Sequence, residues 1–237
     1  MNYFVTGGTG FIGRFLIERL AAREGTIYIL VRKGSRDRLD ELIQKWVLAT
    51  GADGAHAKFT PVIGDLTEPM LGVSDEVRDE LRGKIGHFFH LAASYDIEAD
   101  DETNEKINNG GTRNAVALAN DIEAERFHHA SSIAAAGMYK GLFREDYFDE
   151  GQKLTSPYHR TKFESEKIAR EQTKMPWRVY RPAIVVGHSE TGEMDKIDGP
   201  YYFFKALQKA RHALPEWFPL VGLEFGYTNL VLSLIHI

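Results

Sequence analysis

The chain lacks cysteine altogether, so disulfide bonds and thiolate metal sites are excluded. It also lacks an excess of positive charge, because 29 lysines and arginines stand against 34 aspartates and glutamates. Nothing in this balance indicates a nucleic-acid partner. No apolar run approaches the length that spans a bilayer, and no signal peptide precedes the first predicted strand. We therefore expect a cytoplasmic protein without a membrane span.

A glycine-rich turn follows the first predicted strand. Residues 3–13 read YFVTGGTGFIG, in which a buried strand runs into a turn that opens a helix. Glycines with this spacing make a tight turn, let backbone approach a pyrophosphate and let a helix pack on a strand. Free N–H groups at the start of the helix attract the phosphates of a dinucleotide. We therefore favour a nucleotide-binding turn over a glycine turn that serves packing alone. The predicted contacts are Gly7, Thr9, Gly10, Phe11, Ile12 and Gly13.

The end of the second predicted strand, residues 26–31, bears on the choice of cofactor. An acid roughly twenty residues past the glycines would bind the ribose 2′-hydroxyl of NAD, whereas a base accommodates the 2′-phosphate of NADP. Here Arg32, Lys33 and Arg36 precede the first acid, Asp37. This order favours NADPH as the cofactor, with the basic residues at its 2′-phosphate rather than merely solvated in a loop. Asp37 leaves NAD as the alternative.

Two further strand ends are candidates for the cofactor site. Asp65 follows the predicted strand 59–63, where open α/β sheets bind ligands, and it either accepts from an adenine amino group or forms a turn. The small side chains of Ala92 and Ala93 end the strand 87–91 and leave room for a cofactor. Two histidines in that strand are expected to satisfy local hydrogen bonds rather than bind a metal; they are His87 and His90.

Strands and helices alternate along the chain, which predicts an α/β fold with a doubly wound parallel sheet, the Rossmann fold. Ser156 and Pro157 favour a helix start, and Gly110 and Gly111 inside a helix indicate close packing on the sheet. We divide the chain into a dinucleotide-binding domain and the start of a truncated substrate lobe, at residues 1–190 and 191–231. The other predicted helices and strands are 36–49, 74–82, 101–119, 126–130, 157–172, 177–186 (broken by Pro182) and 201–212.

Three residues form the candidate catalytic group. Tyr158 and Lys162 are four apart on one predicted helix, so their side chains share a face, and Ser132 ends the preceding strand. A tyrosine hydroxyl with a pKa of about 10 needs a nearby positive charge to exchange protons near neutrality. We expect Lys162 to lower that pKa and to hold the nicotinamide ribose, Tyr158 to contact the cofactor as well, and Ser132 to orient the substrate oxygen.

These motifs resemble the extended short-chain dehydrogenase/reductase superfamily. The resemblance rests on the glycine turn, Ser131-Ser132, Tyr158-x-x-x-Lys162 and two further motifs, Asp65-Leu66 and Tyr180-Arg181-Pro182. It implies a nicotinamide cofactor, a Ser-Tyr-Lys mechanism, cofactor contacts at Leu66 and Pro182, and a possible homodimer through the helices at 101–119 and 157–172. Residues 185–192, VVGHSETG, resemble the thioester-reductase and fatty acyl-CoA reductase branch, which implies NADPH-dependent reduction of an acyl thioester.

Two other function classes remain open. A nucleotide-sugar epimerase or dehydratase would keep the fold and cycle a bound NAD, and a non-catalytic nucleotide-binding module would need no triad. The last six residues, 232–237, stop in mid-strand and are encoded by a sequence that resembles a transposase end. We expect these residues to be a foreign tail on a truncated reading frame.

Overall fold

The computed structural model describes residues 1–50, 58–94, 101–187, 192, 208–209, 211–212 and 230–232. Six parallel strands form one sheet in the order β3-β2-β1-β4-β5-β6, and this order reverses between β1 and β4. It confirms the predicted doubly wound sheet. The strands are β1 Asn2–Thr6, β2 Ile27–Val31, β3 Phe59–Ile63, β4 Ile85–His90, β5 Phe127–Ala130 and β6 Trp177–Tyr180.

Helices connect these strands, and their bounds agree with the predicted positions except where noted below. The cap predicted at Ser156 is confirmed, since its hydroxyl accepts from the His159 N–H at 3.1 Å and Pro157 is the first helical residue. The helices are α1 Phe11–Ala21, α2 Arg36–Thr50, α3 Asp75–Leu81, α4 Asp101–Asn104, α5 Gly111–Asp121 and α6 Pro157–Gln172.

Strand β1 is buried on both faces, as expected for a central parallel strand covered by helices on each side. Phe4 belongs to one core cluster, where it stacks on Phe88 with ring centroids 4.7 Å apart. Tyr3 and Val5 belong to the second cluster, which contains side chains of α1 and α2. This alternation holds the glycine turn that follows β1 at the centre of the sheet edge.

The helical run that begins at Asp101 departs from the regular helix predicted for residues 101–119. It runs to Asp121, and the segment Glu105–Gly110 between α4 and α5 is a π-helix. Close packing accounts for Gly111, because a Cβ there would lie 3.3 Å from the Cβ of Leu66. A π-turn inserts one residue per turn and reorients the side chains that follow it, and such turns occur frequently at functional sites.

The strand predicted at 177–186 is broken at Pro182, as expected, but its two parts pair in different sheets. Its first part is β6, which ends at Tyr180, and its second part is β7, Ile184–Val186. Strand β7 pairs in parallel with β8, Leu230–Leu232, in a separate two-stranded sheet. Pro182 separates the two parts because it has no N–H to give to a strand ladder.

Two compact units divide the chain, Met1–Pro182 and Ala183–Ile237. Our boundary at residue 190 stays a prediction. The tail predicted at 232–237 also stays a prediction, since Leu232 ends β8 and residues 233–237 lie outside the described part. Most of the predicted helix 201–212 lies outside it too. None of the helices in the described ranges is long and apolar enough to cross a membrane.

Histidines on β4 and β5 are hydrogen-bonded within the sheet. Nδ1 of His87 lies 2.8 Å from Nε2 of His128, whose Nδ1 lies 2.9 Å from the Tyr180 hydroxyl. His90 lies on the other face, with its ring nitrogens 2.8 Å from the Thr6 hydroxyl and 3.2 Å from the Thr112 hydroxyl. The local hydrogen bonds predicted for His87 and His90 are therefore confirmed.

Acidification should destabilise the fold through these histidines. Burial lowers the pKa of His90 and that of His128 to about 3. In the unfolded chain a histidine has a pKa of about 6.5, so below that pH it binds a proton that the buried histidine of the folded chain does not bind. Stability therefore falls as the pH falls. Between pH ~7.5 and ~5.5 the expected loss is on the order of 1 kcal/mol of unfolding free energy for each histidine, measured by urea denaturation.

The variant His128→Gln tests this assignment, because glutamine does not titrate. Its pH-dependent loss should be smaller than that of the natural chain by on the order of 1 kcal/mol over the same range. An unfolding free energy that is equal at both pH values in the natural chain would contradict the prediction.

Candidate active site

The glycine turn after β1 folds back on itself beside the end of β4. The Gly10 N–H donates to the Gly7 carbonyl at 3.0 Å, and a Cβ on Gly13 would lie 2.1 Å from that same oxygen. Gly7 has a φ of 74°, and a Cβ there would lie 2.7 Å from the backbone nitrogen of Ala92. Glycine is thus required at 7 and 13 by the packing of the turn itself.

Helix α1 presents its N-terminus at this turn. Gly10 is extended at the N-cap position, and no side chain caps the first N–H groups. Thr9, Phe11 and Ile12 are partly exposed around it. Uncapped N–H groups at the start of an 11-residue helix, beside a turn whose residues 7, 8 and 10 carry no side chain, fit the pyrophosphate of a dinucleotide.

The basic residues after β2 do not all have the same surroundings. Arg32 and Lys33 are exposed, with Lys33 opening a single 3₁₀ turn. Arg36 is instead bound to Asp40, with its Nε 2.9 Å from each carboxylate oxygen. Arg36 is therefore committed within α2, which leaves Arg32 and Lys33 as the candidate phosphate contacts.

Asp65 forms the turn after β3. Its Oδ1 accepts from the Thr67 N–H at 2.9 Å and from the Thr67 hydroxyl at 2.8 Å. The backbone bond of Thr67 lowers the pKa of Asp65, and the charge of Arg32 adds to that lowering. The turn interpretation is confirmed, and the contact with adenine stays a prediction.

The Leu66 backbone is held by α5. Its carbonyl accepts from the Asn114 side chain at 2.8 Å, and its side chain packs against the first core cluster. Ala92 lies against the glycine turn, its N–H donating to the Thr6 hydroxyl at 3.3 Å, and Ala93 follows it, partly exposed.

Ser132 and Tyr158 meet at the ends of β5 and α6. The Ser132 hydroxyl accepts from the Ala134 N–H at 3.1 Å and is hydrogen-bonded to the Tyr158 side chain. Pro182 lies alongside, because its carbonyl accepts from the Ile133 N–H at 3.2 Å. The structure thus brings together two members of the predicted triad.

Lys162 lies one helical turn further along α6 and is only 1% exposed. Its Nζ lies 3.5 Å from the Ala130 carbonyl at the end of β5, and burial lowers its pKa to about 8. The expected lowering of the Tyr158 pKa by Lys162 is wrong here. Burial raises the pKa of Tyr158, and the group that lowers it is the Ser132 hydroxyl.

Asn108 is a site residue that the sequence analysis missed. It lies in the π-turn, is buried, and its Oδ1 accepts from the Ser94 N–H at 2.8 Å. Its Nδ2 donates to the Thr161 hydroxyl on α6 at 3.3 Å. The signal was an amide side chain shortly before the two helical glycines, and only the fold reveals its partners.

The sequence of residues 5–228 matches the family described as male sterility protein, an NAD-binding family. The chain belongs to this family. The match spans the whole glycine turn and the candidate triad, and it places the chain in the extended short-chain dehydrogenase/reductase class that the motifs resembled. The NAD(P)-binding character of the domain follows from this membership.

This male sterility domain is similar to two curated relatives and to one solved structure. The nonribosomal peptide synthetase-like enzyme fsqF of Aspergillus fumigatus is 29% identical over 82% of this chain and 14% of its own length. Fatty acyl-CoA reductase wat of Drosophila melanogaster is 26% identical over 83% of this chain and 46% of its own length. The chain thus spans less than half of either relative.

The solved structure is the terminal R domain of the myxalamid PKS-NRPS biosynthetic pathway. It is 25% identical to this male sterility domain, with a TM-score of 0.78 over 98% of this chain and 59% of that chain. The predicted resemblance to the thioester-reductase and fatty acyl-CoA reductase branch is thereby confirmed at the level of the family.

Proposed function

We propose that this protein uses NADPH to reduce the carbonyl of an acyl thioester. The observation that carries the proposal is the hydrogen bond between Ser132 and Tyr158, one helical turn from buried Lys162. A pair of neighbouring hydroxyls is suited to hold a carbonyl oxygen and to protonate it. The relatives support the substrate class, since one is named a fatty acyl-CoA reductase and another is an R domain.

Each residue of the triad has one role in this reaction. NADPH supplies a hydride to the carbonyl carbon when it is bound. The Ser132 hydroxyl donates a hydrogen bond to the substrate oxygen, and Tyr158 gives its phenolic proton to that oxygen as negative charge develops. Breaking the carbon–sulfur bond then releases a thiol and an aldehyde. Lys162 would hold the nicotinamide ribose when the cofactor is bound.

Arg32 and Lys33 are proposed to contact the 2′-phosphate of NADPH. Replacing both by alanine should raise the dissociation constant for NADPH by roughly tenfold or more, about 1.4 kcal/mol, because a charge-assisted contact is lost. NADH lacks that phosphate, so its dissociation constant should change by less than about twofold. Fluorescence titration with each cofactor measures both values.

A matched control for this pair is Arg36→Ala, which removes a nearby arginine that is already bound to Asp40. It should leave NADPH affinity unchanged. Tighter binding of NADH than of NADPH by the natural chain would contradict the proposal and would move Asp37 into the ribose role.

Turnover is tested with NADPH and a long-chain acyl-CoA. Loss of NADPH absorbance should be matched, mole for mole, by release of coenzyme A thiol. A thiol reagent reports the product alone, because the protein contains no cysteine. NADPH loss without thiol would refute thioester reduction. A tightly bound NAD with no net NADPH loss would support an epimerase or dehydratase, and cofactor binding without turnover would support a non-catalytic module.

For the assembly, we propose a monomer in place of the homodimer that the resemblance suggested. The outer surface of α6 and the π-turn carries charged pairs, with Arg160 contacting Glu105 and Glu164. A stable dimer interface is depleted of such charges at its centre.

A further inference from the structure

A continuous hydrogen-bonded chain of buried side chains crosses the domain beneath the candidate site. It joins β1, β4 and α5 through Thr6, His90 and Thr112. It ends at the backbone carbonyl of Asn108. Each of these four residues is at most 2% exposed. Such a chain is isolated from water, so each of its bonds has a fixed donor and a fixed acceptor.

The direction of every bond follows from counting protons. The Thr112 hydroxyl donates to the Asn108 carbonyl at 2.6 Å, so its oxygen can only accept from Nε2 of His90 at 3.2 Å. A neutral ring that carries its proton on Nε2 accepts at Nδ1, and the Thr6 hydroxyl therefore donates to Nδ1 at 2.8 Å. The Thr6 oxygen in turn accepts from the Ala92 N–H at 3.3 Å.

One end of this chain lies at the glycine turn. Thr6 is the last residue of β1 and immediately precedes Gly7. Ala92, which donates to Thr6, is the residue that approaches Gly7 too closely for a Cβ. A shift of Thr6 would therefore move the glycine turn and the Ala92 backbone packed against it, at the place where the pyrophosphate is expected.

The other end lies at α6. Asn108, whose carbonyl ends the chain, donates from Nδ2 to the Thr161 hydroxyl. That hydroxyl lies 3.4 Å from the Tyr158 carbonyl, and Thr161 directly precedes Lys162 in sequence. The chain thus connects the expected phosphate end of the cofactor site with the helical turn that carries the proposed proton donor.

We propose that Thr6, His90 and Thr112 are positioning residues that fix the separation between the glycine turn and the Tyr158–Lys162 turn of α6. The inference rests on the proposed NADPH-dependent function, because a dinucleotide spans both ends. A chain of fixed length holds the two ends at the required separation before the cofactor binds. Removing the hydroxyl of Thr6 or Thr112 leaves one nitrogen of the buried His90 ring without its partner and releases that constraint.

Two matched pairs of variants test the inference. Thr112→Val and Thr6→Val remove a hydroxyl at nearly constant volume, whereas Thr112→Ser and Thr6→Ser keep it. We expect the valine variants to bind NADPH roughly tenfold more weakly and the serine variants to stay within about twofold of the natural chain. Titration at a temperature well below each variant's unfolding midpoint separates this effect from loss of folded protein.

The histidine tautomer provides a second measurement that does not depend on activity. Nitrogen-15 NMR of the imidazole should show His90 neutral, with the proton on Nε2, in the natural chain. Thr112→Val should change that signal, and Thr112→Ser should restore it. A proton on Nδ1 in the natural chain would overturn the inference.

The outcomes separate this inference from the proposed function. Valine variants that unfold at lower temperature but bind NADPH as tightly as the natural chain would show a merely structural role and would overturn it. Cofactor weakening in the valine variants, in a protein that reduces no thioester, would support the inference and refute the proposed reaction. A natural chain that binds no NADPH would overturn both.

Discussion

Replacing Tyr158 by phenylalanine should lower the turnover of acyl-CoA by roughly 10²–10⁴-fold, the usual contribution of a positioned general acid. The variant keeps the ring and removes the hydroxyl that is hydrogen-bonded to Ser132. Since burial raises the pKa of Tyr158, the hydroxyl is protonated at neutral pH and available as an acid. NADPH affinity should stay within about twofold of the natural chain, because the lost group acts on the transition state.

Tyr28→Phe is the matched control for this experiment. Tyr28 is also a partly buried tyrosine whose pKa is raised by burial, but it lies on β2 and packs against the first core cluster. The control should turn over acyl-CoA at the rate of the natural chain. Undiminished turnover in Tyr158→Phe would remove the proposed mechanism, whereas loss of NADPH binding would reassign Tyr158 to the cofactor.

Replacing Glu166 by glutamine should destabilise the first unit by about 3–5 kcal/mol, the cost of breaking a buried ion pair. Glu166 is fully buried on α6 and binds two arginines, with Arg170 at 2.8 Å and Arg181 at 2.6 Å. Glutamine keeps the volume but leaves both guanidinium groups without a counter-charge. The midpoint of thermal unfolding should fall by roughly 10 °C, measured by calorimetry.

The same substitution at Glu171 gives the matched control. Glu171 lies on the same helix but is 61% exposed and only 3.9 Å from Lys167. Exposed pairs of this kind contribute about 0–1 kcal/mol, so Glu171→Gln should unfold close to the natural midpoint. Equal midpoints for Glu166→Gln and the natural chain would mean that the ion pairs of Glu166 with Arg170 and Arg181 do not stabilise the first unit.

The order of strands and helices could be predicted because it depends on local patterns. Four buried residues in β1, the cap at Ser156 and the proline at 157 each act within a few residues. The two departures have different causes. The π-turn at Glu105–Gly110 arises where α5 packs on Leu66, and the separate pairing of β7 arises where a distant segment, β8, supplies its partner. Neither contact is visible in a local window.

The candidate site could be predicted in part for the same reason. Tyr158 and Lys162 share a helix, so their spacing alone brings them to one face. Asn108 was missed because its partners, Ser94 and Thr161, come from two other segments. The cause of the Tyr158 pKa shift could not be predicted from the sequence either, since the shift depends on burial and on the placement of Ser132.

The strand order has a consequence for how the chain assembles during synthesis. β1 and β2 pair first, and β3 then adds beside β2. Each later strand adds beside an existing edge, β4 on β1, β5 on β4 and β6 on β5. The strands leave the ribosome in this same order during synthesis. The sheet can therefore grow at its two edges as the chain is synthesised. No strand has to be inserted between two strands that are already paired.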